Sequence, residues 1–479
     1  MRPHIILRYA GLILLFNAVF LFISAAISFF GQDSAFFALM YTALVCVLFG
    51  IFPLIYVPPA DDISNREGLV IVVASWFISC LVGLIPYILW GGEFTFTNAW
   101  FESVSGYTTT GSSILTNVEA LPPGLLFWRA ATHWIGGVGI IIFALSVIPS
   151  LGRVGMILYR SEIAPLAMEN FQYRTRRVLQ IILVVYVGLT FMETVALLFC
   201  GMNLFDAVTH SFSTIATGGF STKNLSVAYY NSVAVEIVMM IFMVLSGLNF
   251  GLLFIAMAGK FKSLTGSSTV RFYIGILTVG ILAAALNLHG TSYKSWADAF
   301  RYGSFQIITV ATDTGFATTD SSIWPPFAQL LLVFFTTQGG CSGSTAGGIK
   351  IDRAVLFWHA IRKRFKKLEH PHAIVKVKIG GTIVDDDIVE ASLLYTALYI
   401  GVVFFSGLLL TAMGVDIVSA LSGSAATMAN CGPGLGTVGS MGNFNHIPDA
   451  GKWVLSANML LGRLEIFGLL MLFIAKPWK

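Results

Sequence analysis

Charge is what this sequence has least of. Only 11% of its 479 residues are Asp, Glu, Lys or Arg, while 56% are hydrophobic, and the mean hydropathy is +0.81. Soluble domains carry about 25% charged residues, so a water-soluble fold is excluded and an integral membrane protein is expected. The apolar runs are long and continuous rather than alternating over about 10 residues, which favours helices over a barrel. Cysteine is scarce too. The five (Cys46, Cys80, Cys200, Cys341 and Cys431) are scattered without a CxxC pair, so they read as packing thiols and not as a disulfide frame or metal site. Without a Ser/His/Asp grouping, an HExxH or a Walker element, enzymatic chemistry has no visible carrier. The opening run "MRPHIILRYAGLILLFNAVFLFISAAISFF" exceeds the apolar core of a signal peptide, about 7–15 residues. It reads as an uncleaved helix.

What is present is a series of apolar runs near 5–30, 36–57, 69–91, 125–149, 179–201, 233–258, 271–290, 326–358, 388–413 and 453–475, ten expected spans in all. Lys and Arg orient them. With the N-terminus inside, the inner segments 1–8, 58–68, 151–178, 259–271, 353–387 and 476–479 hold 2, 1, 5, 3, 8 and 2 basic residues, 21 of the 28. Outside remain Lys223, Lys294, Arg301, Lys452 and Arg129. Both termini are therefore expected on the cytoplasmic side.

Four outer connections are too long for turns and too apolar for solvated loops. Each opens on a polar helix-starter, Asn98, Asp206, Asp298 or Asp416, and runs to a glycine in "GYTTTGSS", "STIATGGF", "TVATDTGF" or "TMANCGPG". Aligned on Gly111, Gly218, Gly315 and Gly432, the preceding residues are Thr110, Thr217, Thr314 and Cys431, and before them Thr109, Ala216, Asp313 and Asn430. The residues that follow are Ser112, Gly219, Phe316 and Pro433. The repeat unit is span, half-helix, glycine turn, span.

Irregular backbone survives at membrane depth only when buried in protein or facing water. Four such segments around one axis can turn carbonyl oxygens inward and replace the hydration shell of a potassium ion. Glycine tolerates the positive φ this requires, and each half-helix directs the negative end of its dipole to the cavity. Each unit crosses the membrane twice, so all four share one orientation, as pore subunits do, unlike the inverted repeats of many secondary transporters.

"HWIGGVGII" (133–141), "FSTIATGGFST" (212–222), "TTQGGCSGSTAGGIK" (336–350), "GPGLG" (432–436) and "LLGRLEIFG" (460–468) occur in this order. Together they resemble the membrane subunit of the Trk/Ktr/HKT superfamily of potassium transporters, essentially end to end. The extra hairpin before the repeats is similar to the Trk branch. The resemblance implies an all-α membrane protein: a hairpin (1–67) and four potassium-channel-like pore repeats (68–160, 161–265, 266–368, 369–479) around one pore. It implies inward passage of K+, bound as transported ion at the sixteen filter positions above, with no other cofactor in this chain. A cation symporter using the same filter as its binding site is the second reading. A homodimer with one pore per chain is implied, as is a separate cytoplasmic nucleotide-binding regulatory subunit. The location implied is a bacterial inner membrane. No nucleic-acid partner is expected. Asp313 and Cys431 depart from the family's usual filter residues.

The run 326–358 is too long for one straight span, since 33 residues would extend about 50 Å against a hydrocarbon core of about 30 Å. Its middle holds Gly339, Gly340, Cys341, Ser342, Gly343, Ser344, Thr345, Ala346, Gly347, Gly348 and Lys350, too rich in glycine for a regular helix. It reads either as a packing break or, as the resemblance implies, as a loop that gates the pore. Arg463 lies deep in the last span. It is expected either to pair with Glu465 or another buried carboxylate, or to face the gate loop. His133 is expected to make a helix–helix hydrogen bond. The Asp313 carboxylate is expected behind the filter, held by backbone N–H groups or a cation, because an unpaired buried charge costs several kcal/mol. The inner connection 353–387 carries seven basic residues from Arg362 to Lys378 and then three aspartates. It is expected to bind anionic lipid, and its "AIVKVKIGG" to form a short hairpin.

Overall fold

The computed structural model describes residues 2–58, 65–147, 171–370, 372, 375–379 and 382–466. The inner segment 151–178 (as far as 170), part of the inner segment 58–68, the boundary at 160, part of the hairpin segment and the C-terminal end of the last span lie outside the described residues.

Among the described residues six helices are long and apolar enough to cross a membrane: Pro3–Gly31, Phe36–Tyr56, Glu67–Trp90, Gln180–Phe199, Ser268–Leu288 and Asp386–Ala412. The chain is thus a multi-pass membrane protein. The first two form a hairpin whose turn is set by Gln32 in the left-handed region (φ 52). They touch backbone to backbone at Gly11 and Gly50, where an added Cβ would lie 2.6 and 2.9 Å from the other glycine's carbonyl oxygen. Small residues at a helix crossing allow this approach in lipid, where packing rather than the hydrophobic effect joins helices. The hairpin is tied inward by the buried Asn17, whose Oδ1 accepts from Tyr107 Oη at 2.6 Å.

Among the described residues two expected spans are divided by a sharp bend or a loop, and the helix of the last one ends at Arg463, with Glu465 in the left-handed region. The run 233–258 divides into Val233–Ser246 and Phe250–Met257, bent by 109°. Asn249 causes the break by capping the second piece, its Oδ1 accepting from Leu252 N at 3.0 Å. The run 326–358 divides into Pro326–Thr337, a loop, and Ile351–Glu369. Beyond it the expected hairpin forms, Val377–Ile379 antiparallel to Thr382–Val384. Its Val377 and Val384 pack on Leu356 and Ile388.

Four short helices lie between the longer ones: Phe96–Tyr107, Leu204–Ile215, Trp296–Ala311 and Ile417–Ala429. Their caps are Thr95, Asn203, Ser295 and Asp416, each accepting a backbone N–H from the first turn. Three of the expected starters are therefore too late by three residues. Asn98, Asp206 and Asp298 sit in the first turn, while Thr95, Asn203 and Ser295 accept the otherwise orphaned N–H groups. At the fourth, the N–H groups that Asp416 accepts hold its carboxyl below the usual carboxylate range.

Candidate ion pathway

The four short helices end in one way. The N–H groups of Thr110, Gly218, Thr314 and Cys431 donate to Ser105, Ser213, Thr309 and Ala426 at 2.8–2.9 Å. The residues just before them, Thr109, Thr217, Asp313 and Asn430, have φ between 52 and 59. This is the left-handed cap that closes a helix C-terminus by satisfying its last carbonyls. Two residues further on, Gly111, Gly219, Gly315 and Gly432 have φ between 80 and 90.

These bonds correct the register of the second segment. Gly219, not Gly218, is equivalent to Gly111, Gly315 and Gly432. Thr217, not Ala216, shares the layer of Thr109, Asp313 and Asn430. Ala216 is the helix C-cap, and Phe220 takes the place given to Gly219, beside Phe316. The doubled glycine allows either alignment, and matching "GF" at 219–220 to "GF" at 315–316 selects the right one.

The four glycines close a ring. A Cβ on Gly111 would strike the carbonyl oxygen of Gly218, one on Gly219 that of Thr314, one on Gly315 that of Cys431, and one on Gly432 that of Thr110, all closer than 3.0 Å. Side chains beside this ring are taken up by neighbouring segments. Asn430 Nδ2 donates to Thr110 Oγ1 and to Met459 O, each at 2.9 Å. Ser112 Oγ donates to Gly432 O at 2.9 Å. Cys431 Sγ points to Val310 O at 3.6 Å. Phe316 is fully buried.

Sequence reasoning missed the props behind the ring. Nine residues before the turn glycine stand Glu102, His210 and Gln306. Glu102, 0% exposed, accepts from Ile114 N at 3.0 Å and pairs with Arg129 at 2.8 Å. His210 Nε2 is hydrogen-bonded to Ser221 Oγ at 2.9 Å, and Gln306 Nε2 donates to Thr319 O at 3.1 Å. In the fourth segment Ser422 Oγ accepts from Leu435 N at 2.8 Å. Each fastens the chain leaving the ring to its own helix. The nine-residue offset shared by Glu102, His210 and Gln306 was the available signal, hidden because the residue types differ and because Ser422 stands ten before Gly432.

The segment 339–350 folds as a loop under the helix ends. Its neck is closed by Ile349 N donating to Thr337 O and Gly339 N to Ile349 O, both at 3.0 Å. Thr345, 0% exposed, donates to Ile215 O at 2.9 Å, and Gly348 N donates to Ala429 O at 3.0 Å. Cys341 N reaches Gly247 O at 2.9 Å, and Gly343 O accepts from Phe250 N at 3.1 Å. Ser342 N donates to Asp352 Oδ2 at 2.9 Å, and Ser344 Oγ to Cys341 O at 2.6 Å. Gly340, Ala346 and Gly347 are buried. Lys350 Nζ turns back to donate to Ala346 O.

Arg463, 2% exposed, donates to Thr345 O at 2.8 Å and to Gly136 O at 3.4 Å. It does not pair with Glu465, which holds Arg353 at 2.7 Å. Of the two expectations for Arg463, the contact with the loop is the one present. Asp313 is fully buried and lies behind the ring, its Oδ2 only 2.9 Å from where a Cβ on Gly339 would stand. No hydrogen bond of full geometry reaches either carboxyl oxygen among the described residues; the expected holders stand nearby, the backbone N–H of Gly347 and the cations Lys350 and Arg463. The turn aims the side chain at loop glycines, of which Gly339 and Gly348 spend their own N–H groups on Ile349 and Ala429.

Helices of membrane-spanning length, four short helices stopping at one ring and backbone carbonyls gathered there define a membrane transporter of cations. The chain belongs to the TrkH family of cation transport proteins, whose profile matches residues 37–478. It is 36% identical over the full length of both chains to the Trk system potassium uptake protein TrkH of Salmonella typhimurium. It is 33% identical to the Trk system potassium uptake protein TrkG of Escherichia coli, over 87% of this chain and 86% of that one. The crystal structure of the potassium transporter TrkH from Vibrio parahaemolyticus superposes with a TM-score of 0.91 at 34% identity, covering all of both chains. The family is one of transporters, not enzymes.

Proposed function

We propose that this chain takes up potassium across the bacterial inner membrane through a selectivity filter made by the ring. The observation that carries this reading is the closed order of the four turn glycines, each against the carbonyl of the next segment. Such a ring offers oxygens in place of an ion's water. The hairpin 1–67 and four pore repeats, divided near residues 160, 265 and 368, surround one axis, with both termini cytoplasmic. K+ binds at carbonyls of residues 109–111, 217–219, 313–315 and 430–432. The loop 339–350, bonded to the ends of the second and fourth short helices and held by Arg463, crosses the path beneath the ring and gates it.

The chain works as a homodimer with one pore per chain. A separate cytoplasmic nucleotide-binding subunit releases the loop, and anionic lipid binds the basic helix Ile351–Glu369, whose Trp358 and Phe365 are exposed beside Arg362 and Lys366. Reversal potentials of the protein in liposomes test the proposal. A pore follows the potassium gradient alone. A potential that moves with a sodium or proton gradient at fixed potassium would replace the pore by a symporter.

A further inference from the structure

We propose that His133 is a specificity-determining positioning residue, whose imidazole fills the space that a filter side chain occupies in the other three segments. The inference rests on the filter reading above. The equivalent middle residues are Thr110, Gly218, Thr314 and Cys431, by their shared N–H bonds to the short helices. Gly218 is the odd one, and its backbone does not demand glycine, because its φ is outside the left-handed region. What excludes a side chain is the histidine. A Cβ on Gly218 would lie within 3.0 Å of Nδ1, Cε1 and Cγ of the His133 ring.

That ring cannot swing aside. It is stacked on Phe220 at 4.1 Å and 12°. Phe220 is covered in turn by the Arg129 guanidinium at 4.0 Å. Nδ1 is hydrogen-bonded to Ser213 Oγ at 3.2 Å, and Ser213 O accepts the Gly218 N–H at 2.8 Å. Residue 133 is 0% exposed, and its Nε2 has no hydrogen-bond partner among the described residues, so the ring acts there by shape. In the third repeat the position three before the corresponding glycine, Gly339, is Thr336, beside the Cys431 thiol. There a small residue stands beside a filter side chain, whereas His133 stands against Gly218, which has none. The Gly218 carbonyl is also the atom that Gly111 abuts, so a shift of Gly218 moves two of the four filter segments.

The test is a rescue, read as the potassium-to-sodium permeability ratio of purified protein in liposomes. Overpacking at Gly218→Ala should lower that ratio about tenfold. His133→Ala alone should lower it less, because the carbonyl keeps its place but loses its backing. The double variant Gly218→Ala/His133→Ala should recover most of the ratio. If Gly218→Ala does not assemble, restored monodispersity in the double variant supports the pairing equally. A double variant no better than Gly218→Ala in either measure overturns it, as does a silent Gly218→Ala. Gly219→Ala separates this failure from that of the filter itself. It should lose the ratio without rescue by His133→Ala, and an unchanged ratio there would reject the filter reading.

Discussion

At the scale of single residues, the ring rests on glycines that have two reasons to be glycine. Gly111, Gly219, Gly315 and Gly432 hold φ values of 80–90, and each faces a neighbouring carbonyl. The left-handed conformation alone costs a side chain about 1–2 kcal/mol. Gly→Ser at any one of the four is therefore expected to weaken potassium selectivity about tenfold or more while the protein still inserts. Ion-competition uptake assays check this, and four variants with unchanged affinity and selectivity would remove the ring from the permeation path. Asp313 is the other unusual residue. Its carboxyl lies toward Gly339 and is fully buried, between the ring and the loop. Asp313→Asn keeps the shape and should reduce potassium-over-sodium discrimination with little change in divalent block. A large loss of divalent block with monovalent selectivity intact would mean that the carboxylate lines the path, as acidic rings do in other cation channels.

At the scale of elements, the loop 339–350 is held by bonds that come mostly from backbone. Thr345 and Gly348 meet carbonyls at the ends of two short helices, and Arg463 clamps Thr345 to Gly136. Removing residues 341–345 takes away the tip but not the neck at Gly339 and Ile349. It should raise basal potassium flux and lessen dependence on any regulator, and folded deletion protein with wild-type flux would argue against a gate. Arg463→Gln should act in the same direction and less strongly, since it removes one clamp without opening space. The loop could be located in the sequence because five glycines interrupt an apolar run. Its partners could not, because carbonyls of Ile215, Ala429 and Gly247 leave no mark in residue type. The break at Asn249 was likewise invisible: a single polar residue inside 233–258 reads as tolerable until its cap is seen. The short helices were found from their terminal glycines, but their starts were misplaced wherever both Thr95, Asn203 or Ser295 and a later polar residue could serve as cap.

At the scale of the whole molecule, four chain segments can close a ring only if they approach the axis from the same side. The turn glycines abut in the order first to second, second to third, third to fourth and fourth to first. An inverted pair would present its short helix from the opposite face and break that order. The basic residues agree, with 21 of 28 on the segments read as inner. Exposed positions now allow a direct check. Glu119, Lys294 and Asp449 are exposed in the connections around the first, third and fourth short helices, and Lys262 and Lys367 are exposed in the opposite connections. Of the five native cysteines only Cys200 is partly exposed among the described residues, the others being buried, so replacing it leaves a quiet background. Single cysteines at Glu119, Lys294 and Asp449 are expected to react with a membrane-impermeant maleimide in intact cells. Those at Lys262 and Lys367 should react only after permeabilisation. Labelling of Lys294→Cys from the inside with Glu119→Cys and Asp449→Cys outside would place the third unit upside down. The carbonyls of Thr314 and Asp313 could then not share an axis with the other three segments, and the pore would have to be abandoned for a carrier built on inverted units.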